Sequence, residues 1–171
     1  MMTKTGTTEL YATRHGLRPE TRKSMVALLN ERLADGLDLY AQTKHAHWNV
    51  KGIEFQQLHL LFDELAEIVE GHADLLAERA TALGGVAHGT LRMAANASTL
   101  QEFPTIPAEG RAFVDAMAER YAMHAKLVGE AINRADDAGD RATADVFTEI
   151  VRDLDKALYF LESHLQGPRG S

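Results

Sequence analysis

Helical periodicity runs through most of this chain and fails over one long stretch, Gly85 to Gly110, where Pro104, Pro107 and several small residues interrupt it. So long an interruption reads as a crossover that joins parallel neighbours, with a short helix expected at Ser98 to Phe103. On either side the apolar residues recur at helical spacing. Met25, Leu28, Leu29, Leu33, Leu37 and Tyr40 predict a first helix from about Pro19 to His47. Phe55, Leu58, Phe62, Leu65, Val69, Leu76 and Ala80 predict a second from about Glu54 to Leu83, stopped by Gly84-Gly85. A third is expected from about Ala108 to Arg134. A fourth follows from about Arg141 to Gln166, with Asp140 as its N-cap.

No strand alternation competes with these helices. The expected fold is all-α, a ferritin-like four-helix bundle with the long crossover between helices two and three. The chain of 171 residues fits one such domain over 19-166, with a flexible, modestly basic N-terminal tail over 1-18 and a short C-terminal tail over 167-171. Without cysteine it has no disulfide, iron-sulfur cluster or thiolate zinc site. No stretch approaches the roughly 18 apolar residues of a membrane span, so the chain reads as a soluble cytoplasmic protein. A net charge of −7 argues against nucleic-acid binding over the whole surface. Lys4, Arg14, Arg18, Arg22 and Lys23 outnumber Glu9 and Glu20 near the N-terminus, so any DNA contact is expected there.

The second helix carries two polar pairs at one-turn spacing, His59 with Asp63 and Asp74 with Glu78. Eleven residues separate Asp63 from Asp74; they turn the helix back to within about 20° of the same face and rise about 16 Å along it. Metal ligands lie about 2 Å from their ion, so one copy of the helix cannot bring the pairs together. Two copies crossed antiparallel about a twofold axis can. His59 with Glu78 and Asp63 with Asp74 have equal index sums, so one register meets both pairs and symmetry repeats the site. HAHWNVKG, residues 45 to 52, supplies a further imidazole, because a chain that turns at Gly52 can lay His47 beside His59. Mixed imidazole and carboxylate ligation suits redox-active iron, with zinc a competitor. An in-bundle di-iron centre would instead need Glu-x-x-His pairs, and none occurs; Glu162-Ser-His164 has the wrong spacing.

KHAHWNVKG, QLHLLFDEL and GHADLLAERATALGG closely resemble the ferroxidase segments of the Dps family, the DNA-binding proteins from starved cells, and RYAMHAKLV, TADVFT and RDLDKALYFLE resemble its later helices. The resemblance covers about residues 20 to 165. It implies a hollow homododecamer with sites at twofold interfaces, each binding two Fe(II). There hydrogen peroxide, in preference to dioxygen, would oxidise the iron for storage as ferric mineral. It assigns His47, His59 and Asp63 from one chain with Asp74 and Glu78 from its neighbour as ligands, and Trp48 as the tryptophan beside the first histidine. His45 and His72 receive no assigned role and are expected at the surface or, alternatively, as outer-shell groups. Asp140, Asp145 and Glu149 match residues that line threefold iron-entry pores in many members, although a capping or helix-dipole role explains acids there equally well. An assembly that mainly binds DNA and associates with the nucleoid is the alternative function.

Overall fold

The computed structural model describes residues 10–105 and 109–167, and places five α-helices in them with no strand among the described residues. These are α1 (Pro19–Asn49), α2 (Phe55–Ala82), α3 (Leu91–Ala97), α4 (Gly110–Asp137) and α5 (Arg141–Leu165). Pro19 opens α1, where its missing N–H costs no helical bond, and Glu20 complements the helix dipole in the first turn. At the end of α2 the chain leaves through Gly84 at φ +85, while Gly85 packs so tightly on α1 that an added Cβ would lie 2.4 Å from Val26 Cγ1. Asp140 caps α5 by accepting from Thr143 N at 3.1 Å.

The long helices form two hairpins, α1 with α2 and α4 with α5. Gln42 bonds Arg120, Thr43 bonds Tyr121 and Glu31 bonds Arg134, so α1 and α4 run antiparallel. His72 with Asp153 and Arg79 with Asp140 make α2 and α5 antiparallel as well. It follows that α2 and α4 are parallel, the relation a long crossover requires. Leu28, Leu29, Leu33, Leu58, Phe62, Leu65, Tyr121 and Phe147 lie at or near zero exposure in the core.

Three expectations are corrected. The short crossover helix lies at Leu91–Ala97, capped by Thr90, and Ser98 to Phe103 is extended or bent instead. The polar groups of that stretch are claimed from outside: Thr99 N donates to Asp35 Oδ1 at 2.7 Å, Ser98 Oγ to Asp38, and Gln42 to the Gln101 carbonyl. Side chains of α1 thus take the bonds that a local helix would need. Second, the part of the N-terminal tail within the described residues is anchored. Tyr11 N donates to the Gly84 carbonyl at 2.8 Å, and Leu10 and Leu17 pack against the core. Residues 1–9 and 168–171 of the expected tails lie outside the described residues, as does Ala108, the expected start of the third helix. Arg22, counted with the basic tail, is buried and donates to the Leu83 carbonyl. Third, His72 is buried at 3% exposure and bonded to Asp153 at 3.1 Å, so it belongs to the bundle interior and not to the surface. His45 is partly buried, its ring edge-on to Phe103.

His124 of α4 is fully buried. Burial first, then the nearby Arg32 and His72 charges, push its imidazole down to about 3. An unfolded histidine titrates near 6.5. Between these values the unfolded chain takes up a proton that the folded one refuses, so this group favours unfolding increasingly as pH drops below about 6.5. The melting temperature is expected to fall from pH 7 to pH 4, and to fall less steeply in His124→Leu. Equal slopes in the two proteins would show that His124 does not titrate this way.

Candidate metal centre

His47 stands in the last turn of α1 and His59 in the second turn of α2, and the short turn through Gly52 folds them onto each other. Their rings stack with centroids 3.7 Å apart and planes 20° from parallel. The bonds that hold them are reciprocal. His47 Nδ1 lies 2.7 Å from the His59 carbonyl, and His59 Nδ1 lies 2.9 Å from the His47 carbonyl. A carbonyl only accepts, so each Nδ1 carries the proton and donates. In the neutral rings each Nε2 is left as an unprotonated lone pair, the form in which imidazole binds a metal. Phe55 also stacks on His59, its centroid 5.0 Å away.

Asp63 lies one turn beyond His59, its side chain 42% exposed, with Oδ1 3.8 Å from His47 Nδ1. The same oxygen accepts from Lys44 Nζ at 2.5 Å. That ammonium is the main cause holding the Asp63 carboxyl below the ordinary aspartate range, so the group is an anion at neutral pH. Lys44 Nζ also lies 6.0 Å from the ring centre of Trp48, which is exposed at 63%. Lys44 was not singled out in the sequence, yet the signal was present: it lies one turn before His47 and Trp48.

The fold therefore brings His47, His59 and Asp63 together beside Trp48 and leaves Asp74 and Glu78 apart, both exposed farther along α2. Among the described residues no three His, Asp or Glu side chains converge as one chain's own metal cage. Asp74 lines an open groove of about 640 Å³ between α1 and α2, floored by Leu33, Leu37, Ala73 and Ala77.

The three acids expected near the α5 start separate. Asp140 is 2% exposed and committed: Oδ1 accepts from Arg79 Nη2 at 2.8 Å and Oδ2 from the Thr143 hydroxyl. Asp145 and Glu149 are exposed.

The family model of the ferritin-like domain matches residues 26–170. A DNA protection during starvation protein of Agrobacterium fabrum is 40% identical over 156 residues, 91% of this chain and 96% of that protein. Among solved structures, an archaeal Dps homologue from Halobacterium salinarum superposes with a TM-score of 0.89 at 29% identity, covering 100% of this chain and 94% of that one. DpsC from Streptomyces coelicolor gives 0.89 at 29%, covering 100% and 99%. Matches of this extent, along the whole bundle and through the segments that carry His47, His59 and Asp63, mean that the chain belongs to the Dps family of ferritin-like proteins.

Proposed function

We propose that the protein is a ferroxidase and iron store, and that its substrate is Fe(II), bound in pairs at sites shared between two chains. His47, His59 and Asp63 form one half and the neighbour's Asp74 and Glu78 the other. The observation that carries this reading is the reciprocal bonding of His47 and His59 to each other's carbonyls, which leaves both Nε2 atoms free to bind metal, with the anionic Asp63 carboxylate 3.8 Å from His47 Nδ1. Bonds of this kind orient metal-binding imidazoles and raise their basicity. The carboxylates from both chains would balance the charge that iron gains on oxidation. Two Fe(II) give two electrons, and with two protons these reduce hydrogen peroxide to two water molecules. Paired iron thus avoids the single-electron step that releases hydroxyl radical. Zinc, which accepts the same nitrogen and oxygen donors, would compete without redox chemistry. The stored mineral would lie in a hollow dodecamer, entered past Asp145 and Glu149, with Asp140 serving the fold.

Lys44 bears on this reading because an arriving cation must displace its ammonium from Asp63. An ion pair this exposed is weakened by solvent, so Lys44→Met is expected to tighten Fe(II) binding by no more than a few-fold. The check is an anaerobic Fe(II) titration followed by quenching of Trp48, the chain's single tryptophan. Saturation is expected at two irons per site. Quenching that survives His47→Ala with His59→Ala would place the bound iron elsewhere, and unchanged affinity in Lys44→Met would remove the lysine from the competition.

The name of the Agrobacterium fabrum relative favours DNA protection as a second activity. Here it would rest on Arg14 and Arg18, which lie on the anchored segment, and on Lys4 in the residues before it. Twelve such segments on one shell would act together even if each bound phosphate weakly.

A further inference from the structure

The centre of the bundle holds polar atoms that its own side chains leave unpaired. His124 on α4 is fully buried, and neither Nδ1 nor Nε2 has a hydrogen-bond partner. On α2, His72 Nε2 lies 3.1 Å from Asp153 Oδ2 of α5. A carboxylate only accepts, so Nε2 carries the proton and, in the neutral ring, Nδ1 is a buried lone pair without a donor. On α1, Arg32 is 6% exposed; its Nη2 lies 3.1 Å from Asp35 Oδ2 while its Nε–H is buried and unpaired. Orphaned buried groups of this kind are rare in folded proteins. The donors and acceptors are mixed, since a neutral imidazole has one of each and Arg32 Nε only donates.

The same place has room. Gly36 is buried in the middle of α1, where glycine weakens a helix. A Cβ built on it would meet, outside its own helix, a single atom within 4 Å, His124 Nε2 at 3.8 Å. A side chain would therefore fit, and its absence leaves about a methyl's space against an unpaired ring nitrogen. Water occupies a similar volume and bonds to donors and acceptors alike. A metal ion suits the place less well: the Arg32 guanidinium disfavours positive charge on His124, and no three ligating side chains converge among the described residues.

We propose that a structural water molecule is bound between Gly36 and His124, hydrogen-bonded to His124 Nε2, and that Gly36 is kept small to admit it. The site belongs to each chain separately and is independent of the iron reading.

The test combines Gly36→Ala with His124→Leu in the full chain. Alanine improves the helix and meets no clash, so without a bound water Gly36→Ala would raise the melting temperature by roughly 1–4 °C. If water is displaced from His124, the change reverses to a fall of roughly 2–10 °C. In His124→Leu, which needs no partner, Gly36→Ala should again stabilise. A change of the same sign and size in both backgrounds overturns the proposal. A crystal structure of the unaltered protein tests it without variants: a solvent peak is expected at about 2.7–3.2 Å from His124 Nε2. No peak there, or one with a zinc anomalous signal after a zinc soak, overturns it.

Discussion

Two variants that are each inactive are expected to regain about a quarter of wild-type iron oxidation when refolded together. One carries His47→Ala with His59→Ala, the other Asp74→Ala with Glu78→Ala. Each variant alone should approach background, because every site it builds lacks one half. In a twofold dimer with one chain of each kind, one site takes both damaged halves and the other takes both intact halves. Random pairing makes about half of the dimers mixed, and each has one good site of two. The expectation rests on geometry as well as index arithmetic. Within one chain His47, His59 and Asp63 meet at the α1–α2 turn, while Asp74 and Glu78 stand exposed on the same helix about 16 Å and more away. Co-refolding lets the two kinds of chain pair before the proposed shell forms. Peroxide-dependent Fe(II) oxidation measured on native-size shells decides the matter. Mixtures no more active than the separate variants would sink the shared site.

The features legible in the sequence are those decided by neighbours along the chain. Pro19, the Gly84-Gly85 stop and the Asp140 cap each act within a turn or two of their own position, and the helices begin and end close to them. The pairing of His47 with His59 was also legible, because only a short turn separates the two helices. What escaped is decided across the bundle. Within Ser98 to Phe103 the one local signal against a helix is Pro104, which acts on Phe103 alone; the rest is decided by Asp35, Asp38 and Gln42 of α1 and Arg120 of α4, which take its polar groups. Lys44 reaches Asp63 from a different helix, and the partner that makes Asp140 a buried ion pair comes from Arg79, sixty-one positions earlier. The burial of His72 could have been read: it follows Val69 by three positions and precedes Leu76 by four, on the buried stripe of α2.

Asp140→Ala is expected to destabilise the protein by about 2–4 kcal/mol, whereas Asp145→Ala and Glu149→Ala should each stay within about 0.5 kcal/mol. Asp140 joins two hairpins. Its carboxylate caps α5 through Thr143 N and the Thr143 hydroxyl, and it holds Arg79 of α2 at 2.8 Å while only 2% exposed. Loss of the cap costs about 1 kcal/mol. Loss of the anion strands the Arg79 guanidinium, 16% exposed and otherwise bonded to Thr143, at a cost of about 1.5–3 kcal/mol for a hydrogen bond to a charged group. Asp140→Asn retains a capping oxygen and should recover the first contribution without the second, landing between alanine and wild type. Converted at about 2–4 °C per kcal/mol, the alanine variant should melt roughly 5–15 °C lower. The exposed pair offers the opposite pattern. Asp145 and Glu149 stand one helical turn apart on α5, and in the proposed role their joint replacement by alanine slows iron uptake into the shell without lowering the melting temperature. Thermal melts and iron-uptake rates on the same preparations separate the two roles. An Asp140→Ala protein as stable as wild type would show that the buried ion pair is not what joins α2 to the start of α5.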